Sequence, residues 1–223
     1  IIHMMTANTA SGPLYEVDMR LRPSGVSGLL ASSLPSFERY QETEAWTWEH
    51  QALVRARKLV GCDNVAERFE AIRANVLGRE RDNAKLRSEV GEMRVKMRTT
   101  LGTPETAGGT TPDAFEASAT FDLKQDAGGI VDIEFMVQYA VLAWSRQHPE
   151  LLHFTDNIRI LEGLERAGLI ATADVHLLQE AYKAYRAAAH RLALQKQPGQ
   201  VSGEHFHEER RGVMRIWHTL ALG

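Results

Sequence analysis

The run Val175-His-Leu-Leu-Gln-Glu-Ala-Tyr-Lys-Ala-Tyr-Arg-Ala-Ala-Ala-His-Arg-Leu192 decides how this chain folds. Val175, Leu178, Tyr182, Tyr185, Ala189 and Leu192 step by three and four, the stripe of a helix packed in a bundle. The helix it predicts spans about 172–196. Upstream, Thr155-Asp156 caps a helix that Gly168 ends, and Gly128-Gly129 opens one to about Trp144, with Ile130, Ile133, Val137, Val141 and Trp144 as its stripe. The stretch 83–101 carries Leu86, Val90, Met93 and Met97 on one face. Asp63 or Asn64 caps a helix lined by Val65, Phe69, Ile72 and Val76. Ser36 caps a short helix through Tyr40, another runs over 45–57 and stops at Gly61, and a last one begins near Glu204. The fold expected is mainly α, with an antiparallel helical bundle occupying 41–223. Within it, Gly102 to Ala119 has no period and is rich in Gly, Thr, Pro and Ala, which predicts a flexible loop over about 102–119. Phe121 to Lys124 then reads as a short strand.

Residues 1–40 read differently. Leu14-Tyr-Glu-Val-Asp-Met-Arg-Leu-Arg22 alternates, with Tyr15, Val17, Met19 and Leu21 on one side and Glu16, Asp18, Arg20 and Arg22 on the other. Pro23-Ser24-Gly25 turns the chain, and Val26 to Leu30 is the returning arm of a hairpin. Two carboxylates followed by two guanidiniums on one strand face suit a metal–phosphate group. They also suit a surface ladder of salt bridges, the commoner arrangement on an exposed strand face. Spacing alone leaves both readings open.

Composition narrows the class. Of 223 residues, 43% are apolar and 25% charged, as in ordinary globular proteins, and the net charge of −3 gives no basic surplus for a general nucleic-acid binder. The lone Cys62 excludes an intramolecular disulfide and fits a reducing cytoplasm. No apolar run approaches membrane-span length. The opening Ile1-Ile-His-Met-Met5 lacks the form of a signal peptide and reads as the cut end of a helix from a longer protein.

Further residues can carry chemistry. Asp132 and Glu134 have the spacing of a metal-binding pair, but on a helix they lie about 200° apart. Asp132, in the first turn, can satisfy free N–H groups there, while Glu134 at the edge of the apolar stripe needs a partner, for which Lys124 is a candidate. Trp46, His50, Leu53 and Arg57 share a helix face suited to a nucleotide, a protein contact or the bundle core; Arg55 lies on another. His205-Phe-His207 lacks an evident third metal ligand.

The segments 14–25, 45–57, 121–124 with 128–135, and 155–161 resemble, in the same order, the bifunctional glutamine synthetase adenylyltransferase/adenylyl-removing enzymes. That family has two polymerase-β-like nucleotidyltransferase domains, each followed by a helical bundle; one copy removes AMP from glutamine synthetase and the other attaches it. Trp46-Thr-Trp-Glu-His50 resembles the C-terminal, adenylylating copy. The resemblance implies that 1–40 is the last part of a nucleotidyltransferase domain, a remnant β-hairpin. Asp18 matches the third carboxylate of the catalytic cluster and would bind Mg2+; Arg20 and Arg22 would support phosphates or Asp18. Lys124, Asp132 and Glu134 would face the cleft and bind the nucleotide. ATP is the implied substrate, and glutamine synthetase and the PII signalling protein the implied partners, in the cytoplasm with neither nucleic acid nor membrane. The Gly-Ser and Asp-x-Asp that open the family motif have no counterpart here, so the chain alone is expected to be inactive although the intact protein is an enzyme. The alternatives are a helical interaction module that docks glutamine synthetase or PII, the deadenylylating copy, and a PII-modifying uridylyltransferase.

Overall fold

The computed structural model describes residues 2–10, 12–13, 17–103 and 119–222. Its helices are α1 (Ile2–Met5), α2 (Leu34–Thr43), α3 (Thr47–Val54), α4 (Asp63–Leu77), α5 (Asn83–Leu101), α6 (Ile130–Trp144), α7 (Asn157–Arg166), α8 (Thr172–Leu194) and α9 (His207–Thr219). Two minimal antiparallel ribbons join them, β1 (Asn8–Thr9) with β2 (Gly12–Pro13) and β3 (Thr120–Asp122) with β4 (Gln200–Ser202). The chain is mainly α, as its periodicity predicts.

α6 explains the architecture. Ile130, Val131, Ile133, Met136, Val137, Tyr139, Ala140, Val141 and Leu142 are all buried. A helix apolar all round must be covered on every side, and α3, α5, α7, α8 and α9 pack against it. The core continues outward through Leu53 and Val54, Ile72 and Leu77, Leu161 and Leu164, Leu178 and Tyr185, and Val213 and Trp217. β3 meets β4 in the register Phe121↔Val201, which seats the buried Phe121 ring edge-on to Tyr185 at 5.7 Å and beneath the Arg210 guanidinium at 4.0 Å.

The entry to α6 is tightly specified. Gly128 has φ +79°, a left-handed conformation. A Cβ there would stand 2.8 Å from the Arg210 carbonyl oxygen. Ile130 N donates to Leu123 O at 2.9 Å and Val131 N to Lys124 O at 3.2 Å, so the first turn of α6 hangs from the end of β3.

α3 is shorter than the 45–57 expected from sequence. Trp46 is its N-cap, with extended backbone, and its N–H is bound by Glu49 Oε2 at 2.9 Å. Trp46 is therefore off the helical wheel. His50 is fully buried, while Trp46 is exposed. His50 Nε2 donates to the Gln41 carbonyl at 2.9 Å, which leaves Nδ1 to accept from Arg79 at 3.3 Å. Burial lowers the His50 pKa to about 4.

The hairpin expected over 14–30 does not form among the described residues. Residues 14–16, Glu16 included, lie outside them. Val17 to Met19 have no regular structure, Arg20 to Ser24 make turns and a bend, and Gly25–Ser27 is a 3-10 turn. Asp18 Oδ1 accepts from Arg20 N at 2.9 Å, a local bond that competes with strand pairing. Of the predicted 102–119 loop, residues 104–118 also lie outside the described residues.

Gly128→Ala is expected to lower stability by about 2 kcal/mol or more in urea denaturation, from the left-handed backbone and the approach to Arg210. His50 is neutral in the fold and protonates more readily unfolded, so it contributes stability that falls as pH drops from 6.5 toward 4. His50→Gln should flatten melting temperature against pH in the upper part of that window.

Candidate functional site

The Asp18 segment is a self-contained turn. Arg20 Nε lies 3.0 and 3.1 Å from the two Asp18 carboxylate oxygens, and Nη2 is 2.7 Å from Oδ2. These side-chain bonds, with the one from the Arg20 backbone, hold the Asp18 pKa down at about 2. The pair is open to solvent, the Asp18 side chain being 52% exposed. It presents a carboxylate ionised at every physiological pH. Arg22 is committed elsewhere. Its Nε and Nη2 donate to Gly28 O at 3.2 and 3.1 Å and its Nη1 to Met19 O at 2.9 Å, stapling the turn. Its guanidinium holds backbone carbonyls, and its expected support of phosphates or of Asp18 is taken up below as a proposal.

Both Asp18 oxygens face Arg20, and among the described residues no three His, Cys, Asp or Glu side chains are grouped so as to hold a metal. The described residues alone do not make a magnesium site. His205 and His207 likewise gather no third ligand among them.

The second cluster straddles α6. Asp132 is fully buried. Arg94 Nε donates to its Oδ1 at 2.5 Å, Arg98 Nη2 to the same atom at 3.3 Å, and Gly128 N to Oδ2 at 2.6 Å. Both of its oxygens are turned inward onto α5 and the Gly128 turn. Glu134 points to the opposite side, as the helical angle requires. It is half-buried, and its Oε1 accepts from Tyr182 Oη at 3.2 Å, Arg55 Nη1 at 3.4 Å and Asn157 Nδ2 at 3.5 Å. Those three residues, and not Lys124, are its partners. Lys124 is exposed at the end of β3, where its backbone N–H donates to Asp122 Oδ1 at 2.9 Å. Lys124, Asp132 and Glu134 thus do not converge on one point.

Sequence reading missed the buried charges around Asp132. Arg94 also donates to Gln125 O at 2.7 Å, and Asp126 accepts from Thr103 N and Asp122 N, each at 2.8 Å. The available signal was Arg94 and Arg98, four apart on the same helix face, opposite an acidic helix N-terminus.

Two family models match the chain: glutamate-ammonia ligase adenylyltransferase over residues 1–72, and GlnD PII-uridylyltransferase over residues 109–201. Among curated relatives, the bifunctional glutamine synthetase adenylyltransferase/adenylyl-removing enzyme of Pseudomonas aeruginosa is 74% identical over 223 residues, all of this chain and 23% of that protein. The enzymes of the same name from Pseudomonas syringae and Hahella chejuensis are 69% and 52% identical, over 100% and 99% of this chain and 22% of each protein. The resemblance to this family is thereby shown. The chain spans less than a quarter of the length of these bifunctional adenylyltransferase/adenylyl-removing relatives. Asp18 and Trp46 fall within the adenylyltransferase match; Lys124, Asp132 and Glu134 fall within the uridylyltransferase match.

Asp132→Asn is expected to cost about 3–5 kcal/mol, because it strips the countercharge from two buried guanidiniums. Chemical denaturation measures it. Asp18→Asn, on an open turn, should leave the melting temperature unchanged.

Proposed function

We propose that the protein containing this chain transfers AMP from ATP to a tyrosine of glutamine synthetase, and so regulates nitrogen assimilation. In that reaction the tyrosine oxygen bonds to the α-phosphorus, the bond to pyrophosphate breaks, and the tyrosine proton is released. The observation that carries the reading is identity of 52–74% along the whole chain with three enzymes named for this chemistry. Residues 1–40 would be the last part of the nucleotidyltransferase domain and 41–223 its helical bundle. The wording Trp46-Thr-Trp-Glu-His50 favours the adenylylating copy over the adenylyl-removing one.

Asp18 would bring a permanently ionised carboxylate to the reacting phosphates, with Arg20 as its charged neighbour and Arg22 holding the turn that presents them. Magnesium, with Asp18 as one of its candidate ligands, is assigned to the intact protein in a cytoplasmic setting. Glutamine synthetase is the acceptor and PII the proposed regulatory partner. A second reading has its own support: residues 109–201 match the PII-uridylyltransferase model, so this part of the helical region would be shared by two nucleotidyltransferase families. On that reading the chain alone docks glutamine synthetase or PII without catalysing.

In the intact protein, given ATP, magnesium and glutamine synthetase, Asp18→Ala should reduce AMP incorporation by about a hundredfold or more with no loss of fold. Near-normal incorporation would remove Asp18 from the reaction. The 223-residue chain alone should incorporate none, and measurable transfer by it would overturn the assignment of an incomplete site.

A further inference from the structure

The turn that carries Asp18 is held from inside and from outside. Inside it, Arg20 clasps Asp18, Arg22 staples Met19 O and Gly28 O, and Ser27 Oγ donates to Ser24 O at 2.9 Å. Its packing leaves little room: a Cβ on Gly28 would stand 1.9 Å from the Pro23 carbonyl oxygen. Ser24 has φ +60° and ψ 19°, a left-handed conformation that a residue with a side chain keeps only where its surroundings hold it.

The outside support is Tyr40 of α2. Its hydroxyl donates to Glu49 Oε1 at 2.8 Å, and the backbone N–H of Ser24 interacts with the same hydroxyl oxygen. Both the tyrosine and its acceptor are fixed in place. The ring of Phe37 lies 5.9 Å from that of Phe69, and Glu38 takes Arg68 at 3.2 Å, so α2 is anchored on α4. The Tyr40 carbonyl receives the N–H groups of Glu44 and Ala45, both at 2.9 Å. Glu49 is buried, and its other oxygen receives the Trp46 N–H at 2.9 Å. Partial burial is the main reason that the Tyr40 pKa lies above its ordinary value, so the phenol keeps its proton at neutral pH.

We propose that Tyr40 is a positioning residue for adenylyl transfer: its hydroxyl ties the Asp18 turn to the N-terminal end of α3 and so sets where the Asp18 carboxylate points. The inference rests on the role given to Asp18 above. Arg20 orients the carboxylate within the turn, but a bond between two residues of one turn cannot orient that turn against the helices. Tyr40 supplies the second constraint, and it does so at the strained residue. A carboxylate that meets a reacting phosphate has to be held to a fraction of an ångström, which is the task of such supporting bonds.

Incorporation of AMP from radiolabelled ATP by the intact protein, with magnesium and glutamine synthetase, tests this in Tyr40→Phe, Asp18→Ala and the double variant. Tyr40→Phe removes one oxygen; kcat should fall about tenfold or more while the KM for ATP stays within about twofold of the parent. Adding Tyr40→Phe to Asp18→Ala should lower the residual rate no further, because a residue that acts through Asp18 has nothing left to position. A tyrosine needed only for folding would multiply its loss onto that of Asp18→Ala. The proposal is overturned by a parental kcat in Tyr40→Phe, by a loss confined to KM, or by losses that multiply in the double variant. A disabled Asp18→Ala beside an unimpaired Tyr40→Phe sinks the Tyr40 role alone, whereas normal incorporation by Asp18→Ala removes Asp18 from the reaction and the Tyr40 role with it.

Discussion

The carboxylate of Asp132 is the constraint on which the rest of the bundle depends. Completely removed from water, it would be prohibitive to bury unless every lone-pair direction were answered. It is answered from two directions: Arg94 and Arg98 reach it from α5, and the Gly128 amide reaches it from the turn before α6. One side chain thus fixes the angle at which α6 enters and the register in which α5 lies against it. Arg94 extends the same junction to the Gln125 carbonyl, tying in the loop after β3. Because five helices pack around α6, an error in its entry would propagate to all of them.

A related device closes the C-terminal ends of α3 and α4. Arg73 is buried and sends Nε to Leu53 O at 3.1 Å and Nη2 to Val54 O at 2.8 Å, at the C-terminal end of α3. Its Nη1 reaches Leu152 O at 2.9 Å. Arg81 does the same at the end of α4, and Ser145 Oγ donates to Leu77 O at 3.0 Å. The last carbonyls of a helix lack intrahelical donors and carry its negative dipole end, so an inward guanidinium answers both needs at once. Burial lowers the Arg81 pKa only to about 10, which leaves it charged at neutral pH.

Period and capping made most of the helices legible. α4 begins at Asp63, although its N-cap is Cys62 and not the expected Asp63 or Asn64; α5 begins at Asn83 behind the Asp82 cap, α8 at Thr172, and Gly128-Gly129 opens α6 at Ile130. Two kinds of feature were not legible. Alternation over 14–22 has strand character only where a partner strand exists, and Asp18 satisfies a neighbouring amide instead. Trp46 and His50 are four apart, yet they do not share a face, because an N-cap residue has extended backbone and leaves the helical wheel. The buried charges escaped for a third reason. Arg94 and Asp132 are separated by 38 residues, and local periodicity holds no information about which distant residues neutralise each other.

The pair Asp132 and Glu134 shows how one spacing divides two tasks. Two positions along a strand would have put both acids on one metal; along a helix they are turned away from each other. Asp132 anchors α6 to α5, while Glu134 gathers one donor each from Asn157 of α7 and Tyr182 of α8, and one from Arg55 at the end of α3. The first arrangement is dry and fully enclosed, which makes it rigid. The second is half open to water, where each bond is individually weak and exchangeable with solvent. A shift of α7 or α8 against α3 therefore redistributes the donors on Glu134 without disturbing the Asp132 junction. The same helix can hold the bundle together on one side while tolerating rearrangement on the other.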